Sequence, residues 1–560
     1  MSVTAGASRV DVNDILVGDV WVASGQSNME WPVELSDNAA AEIANARDST
    51  IRELAIAHSY SETPEDDVVA GRWAPAVPQH VGKFSAVAYF FARDLRKSVH
   101  VPIGIIHTSW GGANIETWMS RRALGVSDSA WNAIVAVERT RVETHREAIR
   151  RKVGALPTTD SGLVGGRAVW AAPDFSDDTW TDIRTPSLWE AAGYEGMDGV
   201  AWYRTSFLLT AEETRQPVRL SLGPIDDSDI TWVNGVEVGR TELRYAEPRT
   251  YTIPASALRA GRNVIAIRVE DGGGGGGIYG SASALWIEVG GVMRSLAGSW
   301  RFKVGSVSFQ PDGQRINKVP TVLYNRMIHP LLDVPIKGVI WYQGESNSNT
   351  VQQATEYRRL FSTMISSWRR EWRGATGNFP FLWVQLPNFG KVDSLPPATA
   401  SWATLRESQA AALALPNTGQ VVAIDLGGAD ELHPRNKQPV GARLALKARE
   451  VAYGQRVASS GPRYRRHTVT GGRITVELAN VGGGIVSRAQ NGTITGFAIA
   501  GSDRRFVWAK ARLEGDRIVV WSENVQDPKA VRYLWTNSPL APVLYNREGL
   551  PLEPFRTDSW

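Results

Sequence analysis

Two short polar clusters in this 560-residue chain carry the residue types of nucleophilic catalysis. Gly25-Gln26-Ser27-Asn28-Met29 follows an apolar run, residues 15–24, that reads as a strand. A serine between a strand end and the next segment can expose its hydroxyl as a nucleophile, although a turn or helix-capping serine occupies the same kind of position. The second cluster, Asp425-Leu426-Gly427-Gly428-Ala429-Asp430-Glu431-Leu432-His433-Pro434, follows another apolar run. Of eight histidines, only His433 follows an acidic pair in a loop at a strand end. A neutral imidazole whose second nitrogen is held by a carboxylate is the base that serine chemistry needs, and Asp430 is close enough in sequence to supply it. A third cluster, Trp341-Tyr342-Gln343-Gly344-Glu345-Ser346-Asn347, is rich in amide and carboxylate groups. His107 lies inside an apolar strand and is expected to be a satisfied strand residue.

Other chemistries find little support. There is no Cys, which removes disulfides, zinc-thiolate sites, iron-sulfur clusters and cysteine nucleophiles. No HExxH, His pair or zinc spacing occurs, so neither a metal nor a cofactor is expected. The GxSxG elbow of α/β-hydrolases is absent. Lys and Arg total 61 against 58 Asp and Glu, and a net charge of +3 argues against a nucleic-acid partner. No run of apolar residues is long enough to span a membrane. Six consecutive glycines, 272–277, must be loop, and no P-loop Lys-Ser/Thr follows them.

The elements that must position these clusters alternate in texture. Residues 15–24, 51–57 and 101–107 read as strands, and 84–99 has the 3.6-residue apolar period of a helix. Residues 336–342, 381–386 and 421–426 are further strands, with helices expected over 357–372 and 438–453. Strand, helix, strand in this order is the texture of a parallel sheet, whose ligand sites lie at the carboxyl ends of its strands. Residues 165–310 instead carry short alternating runs and an Asn234-Gly235 hairpin signal, and 465–560 turns to β again. The expected organisation is an α/β domain over 12–125 and 320–460, split by a β-sandwich or jelly-roll insertion over 165–310, with a C-terminal β-rich domain over 465–560.

GQSNM, the Gly111-Gly112 block with Ile115, Glu116 and Trp118, WYQGESN, and DELHP leading into PVGARLA together resemble the sialate O-acetylesterase-like carbohydrate esterases of the SGNH hydrolase superfamily. The blocks stand in the family's order across residues 15–450, and the ending LYNREGLPLEPFRTD is similar too. The resemblance implies a flavodoxin-like three-layer α/β fold interrupted by a β-rich insertion. The WYRTSF, VNG and GRNVIAIRV runs look like jelly-roll sugar-binding modules of glycoside hydrolases. Carried over, Ser27 matches the nucleophile, His433 the general base and Asp430 the triad acid, with Glu431 and Glu345 as other carboxylates in reach. The oxyanion hole is expected from the N–H groups of Ser27 and Gly112, with Gln343, or alternatively Asn347, as the side-chain donor.

Trp31, Trp110 and Trp341 lie beside the catalytic blocks and are expected to stack on sugar rings. The implied substrate is an acetylated oligosaccharide or polysaccharide, with plant hemicellulose (xyloglucan or xylan) preferred and O-acetyl sialate the alternative. A sialate carboxylate would call for Arg435 or Lys437. Family members carry a β module before the first strand, which here is expected to be absent or to lie outside a shortened chain. A periplasmic or secreted setting is expected, and nothing in the sequence fixes an oligomeric state. Two rivals stand beside the esterase: a non-catalytic glycan-binding protein, and a glycoside hydrolase pairing Glu345 with Glu431 or Asp430.

Overall fold

Buried apolar segments set the frame of the site. In a computed structural model, which describes all residues except 1, 7, 243, 246, 273–274, 309–315, 490–492 and 540–541, they form one seven-stranded sheet. Its strands are β1 (Asp19–Gly25), β2 (Asp48–Ala55), β3 (Ala74–Ala76), β4 (Ile103–Ser109), β5 (Gly338–Tyr342), β6 (Phe381–Gln385) and β7 (Thr418–Val422). The order is β7-β6-β5-β1-β4-β2-β3, parallel throughout except for β3 against β2. Every residue of β5 and β6 is buried, as befits strands covered on both faces.

Helices cover both faces. Those used below are α1 (Ser27–Glu30), α2 (Ala86–Val99), α4 (Val351–Glu371), α5 (Ser401–Ala411) and α6 (Gln438–Val451), while α3 (Asp128–Val153) lies outside this sheet's unit. Trp21 of β1 is in register with Gly338 and meets Phe91 of α2 edge-on at 5.0 Å. Trp341, three residues beyond Gly338, faces the opposite side and packs on Phe361 and Trp368 of α4 at 6.5 and 6.0 Å. α2 contacts α6 on one side, and α4 contacts α5 on the other. Ser85 caps α2 by accepting the Ala88 N–H at 3.3 Å, and its own hydroxyl donates to the Met29 carbonyl at 2.6 Å. That bond ties α2 to α1, where Ser27 sits.

The chain divides into two compact units, residues 1–127 with 317–560, and residues 128–316. The second unit holds α3 and two antiparallel six-stranded sheets around their own core, which includes Trp189, Tyr203, Leu220, Ile267 and Phe302. Within the 272–277 run, Gly273 and Gly274 lie outside the described residues, and Gly277 joins the strand pairing beside Asp226. In the first unit, the strands Arg463–Thr470, Arg473–Ala479, Lys510–Glu514 and Arg517–Trp521 form a four-stranded sheet. Their core includes Val422 and Ile424, so the C-terminal β region shares a unit with the parallel sheet. No helix among the described residues is long and apolar enough to cross a membrane.

Candidate active site

The end of β1 determines where Ser27 stands. Gly25 has φ of +138°, and a Cβ there would lie 2.1 Å from the Tyr342 carbonyl oxygen, so only glycine lets β1 run this close to β5. The Gln26 N–H then donates to the same carbonyl at 3.0 Å, and the chain turns into α1 with Ser27 as its first residue. Ser27 Oγ lies 2.7 Å from His433 Nε2, across 406 residues of sequence. His433 is half-buried and stacks on Trp31 at 5.2 Å. Burial lowers its pKa to about 4; the Lys437 ammonium pushes the same way and Glu30 opposes. The imidazole is therefore neutral at pH 7 and able to take a proton.

Asn28 links three parts of the site. Its amide nitrogen donates to Glu345 Oε1 at 2.6 Å and to the Leu432 carbonyl at 3.1 Å, while its oxygen accepts from Lys437. Lys437 is fully buried, which lowers its pKa to about 7 against the opposing pull of Glu345 and Glu431. Burial raises the pKa of Glu345, and its Oε2 has no hydrogen-bond partner among the described residues.

The Gly111-Gly112 loop faces Ser27 and is fixed from two sides. Glu30 Oε2 accepts the Gly111 N–H at 2.6 Å, and Glu30 Oε1 pairs with His58 Nε2 at 2.9 Å. His58 in turn stacks on Trp110 at 4.4 Å. On the other side, Asn347 Oδ1 accepts the Ile115 N–H at 2.9 Å and its Nδ2 donates to Glu116 at 2.9 Å. Gln343 donates to the Ala113 carbonyl at 3.0 Å and to Asn347 at 2.8 Å, and accepts from the Tyr357 hydroxyl at 2.8 Å. Gly112 adopts φ of +73°, and neither its N–H nor that of Ser27 has a hydrogen-bond partner among the described residues. Two N–H groups unpaired among the described residues, one on the serine itself and one in the loop beside it, suit a developing oxyanion.

A cavity of 580 Å³ opens over this arrangement, within the size range of small-ligand sites. Asn114, Lys318, Glu345, Phe389 and Trp402 line it along with Ser27, Gly112 and His433.

Several expected residues lie elsewhere. Asp430 and Glu431 are exposed and make no hydrogen bond to His433. The loop folds onto itself instead, with Glu431 accepting the Gly428 N–H at 3.1 Å. Gln343 and Asn347 are buried and brace the 113–116 loop; both N–H groups of the Gln343 amide are committed, and Asn347 spends one of its own on Glu116. Trp341 is fully buried between α4 and the sheet, too deep to meet a sugar. Trp31 and Trp110 cover His433 and His58 with their rings. Arg435 is exposed, 3.6 Å from Asp37, and Lys437 is bonded to Asn28. His107 is hydrogen-bonded to Ser109 at 2.7 Å and lies 3.4 Å from Glu53, a satisfied strand residue. Among the described residues, one carboxylate group has metal-ligating spacing, Asp226, Asp227 and Asp271, and it belongs to the 128–316 unit.

A family model described as carbohydrate esterase, sialic acid-specific acetylesterase, matches residues 17–152 and 298–450. The chain belongs to this esterase family. Membership makes it a hydrolase of carboxylic esters, an acetylesterase by family. A second model, the β-galactosidase second all-β domain, matches residues 166–275. The mouse sialate O-acetylesterase is 26% identical over 97% of this chain and 78% of its own length, and the human one 23% over 97% and 76%. The crystal structure of a carbohydrate acetylesterase from Xanthomonas citri is 31% identical, covers 100% of this chain and 85% of its own, and superposes with a TM-score of 0.64.

The residues that sequence reasoning missed in this esterase are Asn28, Glu30, His58, Asn114, Lys318, Phe389 and Trp402. Asn28 and Glu30 stand within and beside the GQSNM block, and Asn114 stands two residues after the Gly111-Gly112 pair, so adjacency was the available signal. Lys318, Phe389 and Trp402 stand outside every polar cluster, and only the tertiary fold brings them to the cavity.

Proposed function

We propose that the protein is a serine-dependent carbohydrate O-acetylesterase, and the observation that carries this reading is the 2.7 Å Ser27–His433 contact beneath the Gly112 loop. His433 Nε2 takes the proton from Ser27 Oγ as that oxygen adds to the acetyl carbonyl carbon. The N–H groups of Ser27 and Gly112 receive the oxyanion. Asn114, which lines the cavity and whose side-chain amide makes no hydrogen bond among the described residues, is the third donor in this reading. Collapse breaks the ester bond, and the sugar oxygen leaves with the proton from His433. Water then attacks the acetyl-Ser27 ester with His433 as base, releasing acetate and restoring the serine.

His433 is set by the Trp31 stack and the Ser27 contact, and Asp430 is assigned at most a secondary part because its carboxylate is exposed. The parallel sheet with helices on both faces supports a flavodoxin-like three-layer domain. The two antiparallel sheets of the 128–316 unit support a jelly-roll-like insertion.

For the substrate, O-acetyl sialate is favoured over plant hemicellulose. The family description and the mammalian relatives support it. So does Lys318, an exposed cation on the cavity wall with no ion pair among the described residues, suited to a substrate carboxylate.

The test is acetate release from O-acetyl sialic acid and from acetylated xyloglucan oligosaccharides by wild type, Ser27→Ala and Lys318→Gln. Release is expected to vanish in Ser27→Ala. Lys318→Gln should raise KM for the sialate by roughly fivefold at low salt, the scale of a solvent-screened charge contact, and leave the neutral substrate unchanged. Equal KM changes for both substrates would remove the case for sialate.

A further inference from the structure

The first unit contains a second cavity, distinct in its lining from the one over Ser27. It measures 640 Å³ and lies between the 392–394 segment and the C-terminal strands. Trp508 and Trp521 contribute indole rings to its wall, with Asp393, Ser394, Thr536 and Ser538 among the polar residues. Trp508 is 40% exposed, and its Nε1–H donates to the Ser394 carbonyl at 2.8 Å, which fixes the ring. Arg473 and Arg512 lie over Trp521 at 5.5 and 5.9 Å and hold that ring as well. Two fixed aromatic surfaces beside polar side chains on one cavity wall are the means by which proteins grip the apolar faces of sugar rings.

The polar groups supply the second half of the argument. Thr536 and Ser538 are 3% and 0% exposed, yet neither hydroxyl has a hydrogen-bond partner among the described residues. A buried hydroxyl left unpaired costs free energy, so a native fold keeps two in one cavity wall only with a reason. Asp393 is half-buried on the same wall without an ion pair, an acceptor for hydroxyl donors that would repel an anion. The cation on this wall, Lys510, is already paired with Glu523 at 2.7 Å.

We propose that this cavity is a saccharide site separate from the catalytic one, binding a neutral sugar segment. Trp508 and Trp521 meet the ring faces, and Thr536, Ser538 and Asp393 bond the hydroxyls. Such a site would hold an oligosaccharide chain to the esterase without taking part in ester cleavage.

The test is calorimetric titration of the full chain with cellotetraose and xylotetraose, neither of which carries an ester, so the outcome is independent of the catalytic reading. Saturable binding of at least one is expected, weakened roughly tenfold in Trp508→Ala. Ser538→Ala and Thr536→Val should also weaken binding while leaving the melting temperature unchanged or raising it, because each removes a hydroxyl that is unpaired in the free protein. Hydrolysis of 4-nitrophenyl acetate should be unaffected in all three. The proposal is overturned if neither sugar binds at millimolar concentration, if binding is equal in wild type and Trp508→Ala, or if Ser538→Ala lowers the melting temperature.

Discussion

A serine hydroxyl 2.7 Å from a neutral imidazole is a reactive pair only while the imidazole stays unprotonated. Burial and the neighbouring Lys437 hold the pKa of His433 down to about 4, so the base form predominates at every pH above that value. Falling pH protonates His433 and removes the base. The acid limb of kcat/KM should therefore have an apparent pKa near 4, well below that of an ordinary histidine, with a plateau through neutral pH. Lys437 loses its charge as pH rises through about 7, which can only raise the pKa of an imidazole already neutral there, so the plateau is not broken. A limb near the ordinary histidine pKa would show that His433 is more hydrated than its packing against Trp31 allows. The exposed position of Asp430 yields a second expectation. Removal of a buried triad carboxylate costs about ten-thousandfold in kcat, whereas Asp430→Asn should cost less than about tenfold here, and Glu431→Gln no more. Asn114→Ala should lower kcat by about a hundredfold if its amide is the third oxyanion donor.

At the scale of elements, the site is held by loops at the carboxyl ends of β1, β4 and β5, and by the segment before α6. Gln343 and Asn347 stand directly after β5, yet their hydrogen bonds run to the 113–116 loop after β4. Gln343→Ala should therefore lower kcat more than it changes KM and cost about 1–3 kcal/mol of stability, since it strands buried partners. Steady-state kinetics and denaturant unfolding of the same variant check both halves. Trp341→Ala, in the α4 face of the sheet, should cost about 3–5 kcal/mol.

Much of this level was legible in the sequence. β5, β6, α2 and α6 announce themselves because their apolar residues follow the period of a buried strand or helix. α3 did not, since only Trp131 and Ile149 are buried among its 26 residues and i,i+3 ion pairs line its surface. The Ser27 and His433 blocks were equally legible, because strand-end placement limits which side chains can meet. The oxyanion amide and the aromatic walls were not, because proximity to a catalytic block in sequence says nothing of which way a side chain points. Gln343 and Trp341 both point into the protein.

The chain comprises two units, one carrying the Ser27–His433 pair and the other α3 with two six-stranded sheets around a core of their own. Separate cores predict more than one transition in calorimetric unfolding, and Trp341→Ala should shift only the one belonging to the first unit. A single transition lowered as a whole would mean that the two cores melt together. The family match spans segments on both sides of the β insertion, so the catalytic architecture is assembled from distant parts of the chain. Ser27 and His433, 406 residues apart, are its test case. The most direct measurement is mass spectrometry of the protein acid-quenched during turnover of an acetylated substrate. An acetyl adduct is predicted on the peptide carrying Ser27, and none in Ser27→Ala. Turnover without that adduct, undiminished in Ser27→Ala, would contradict the account.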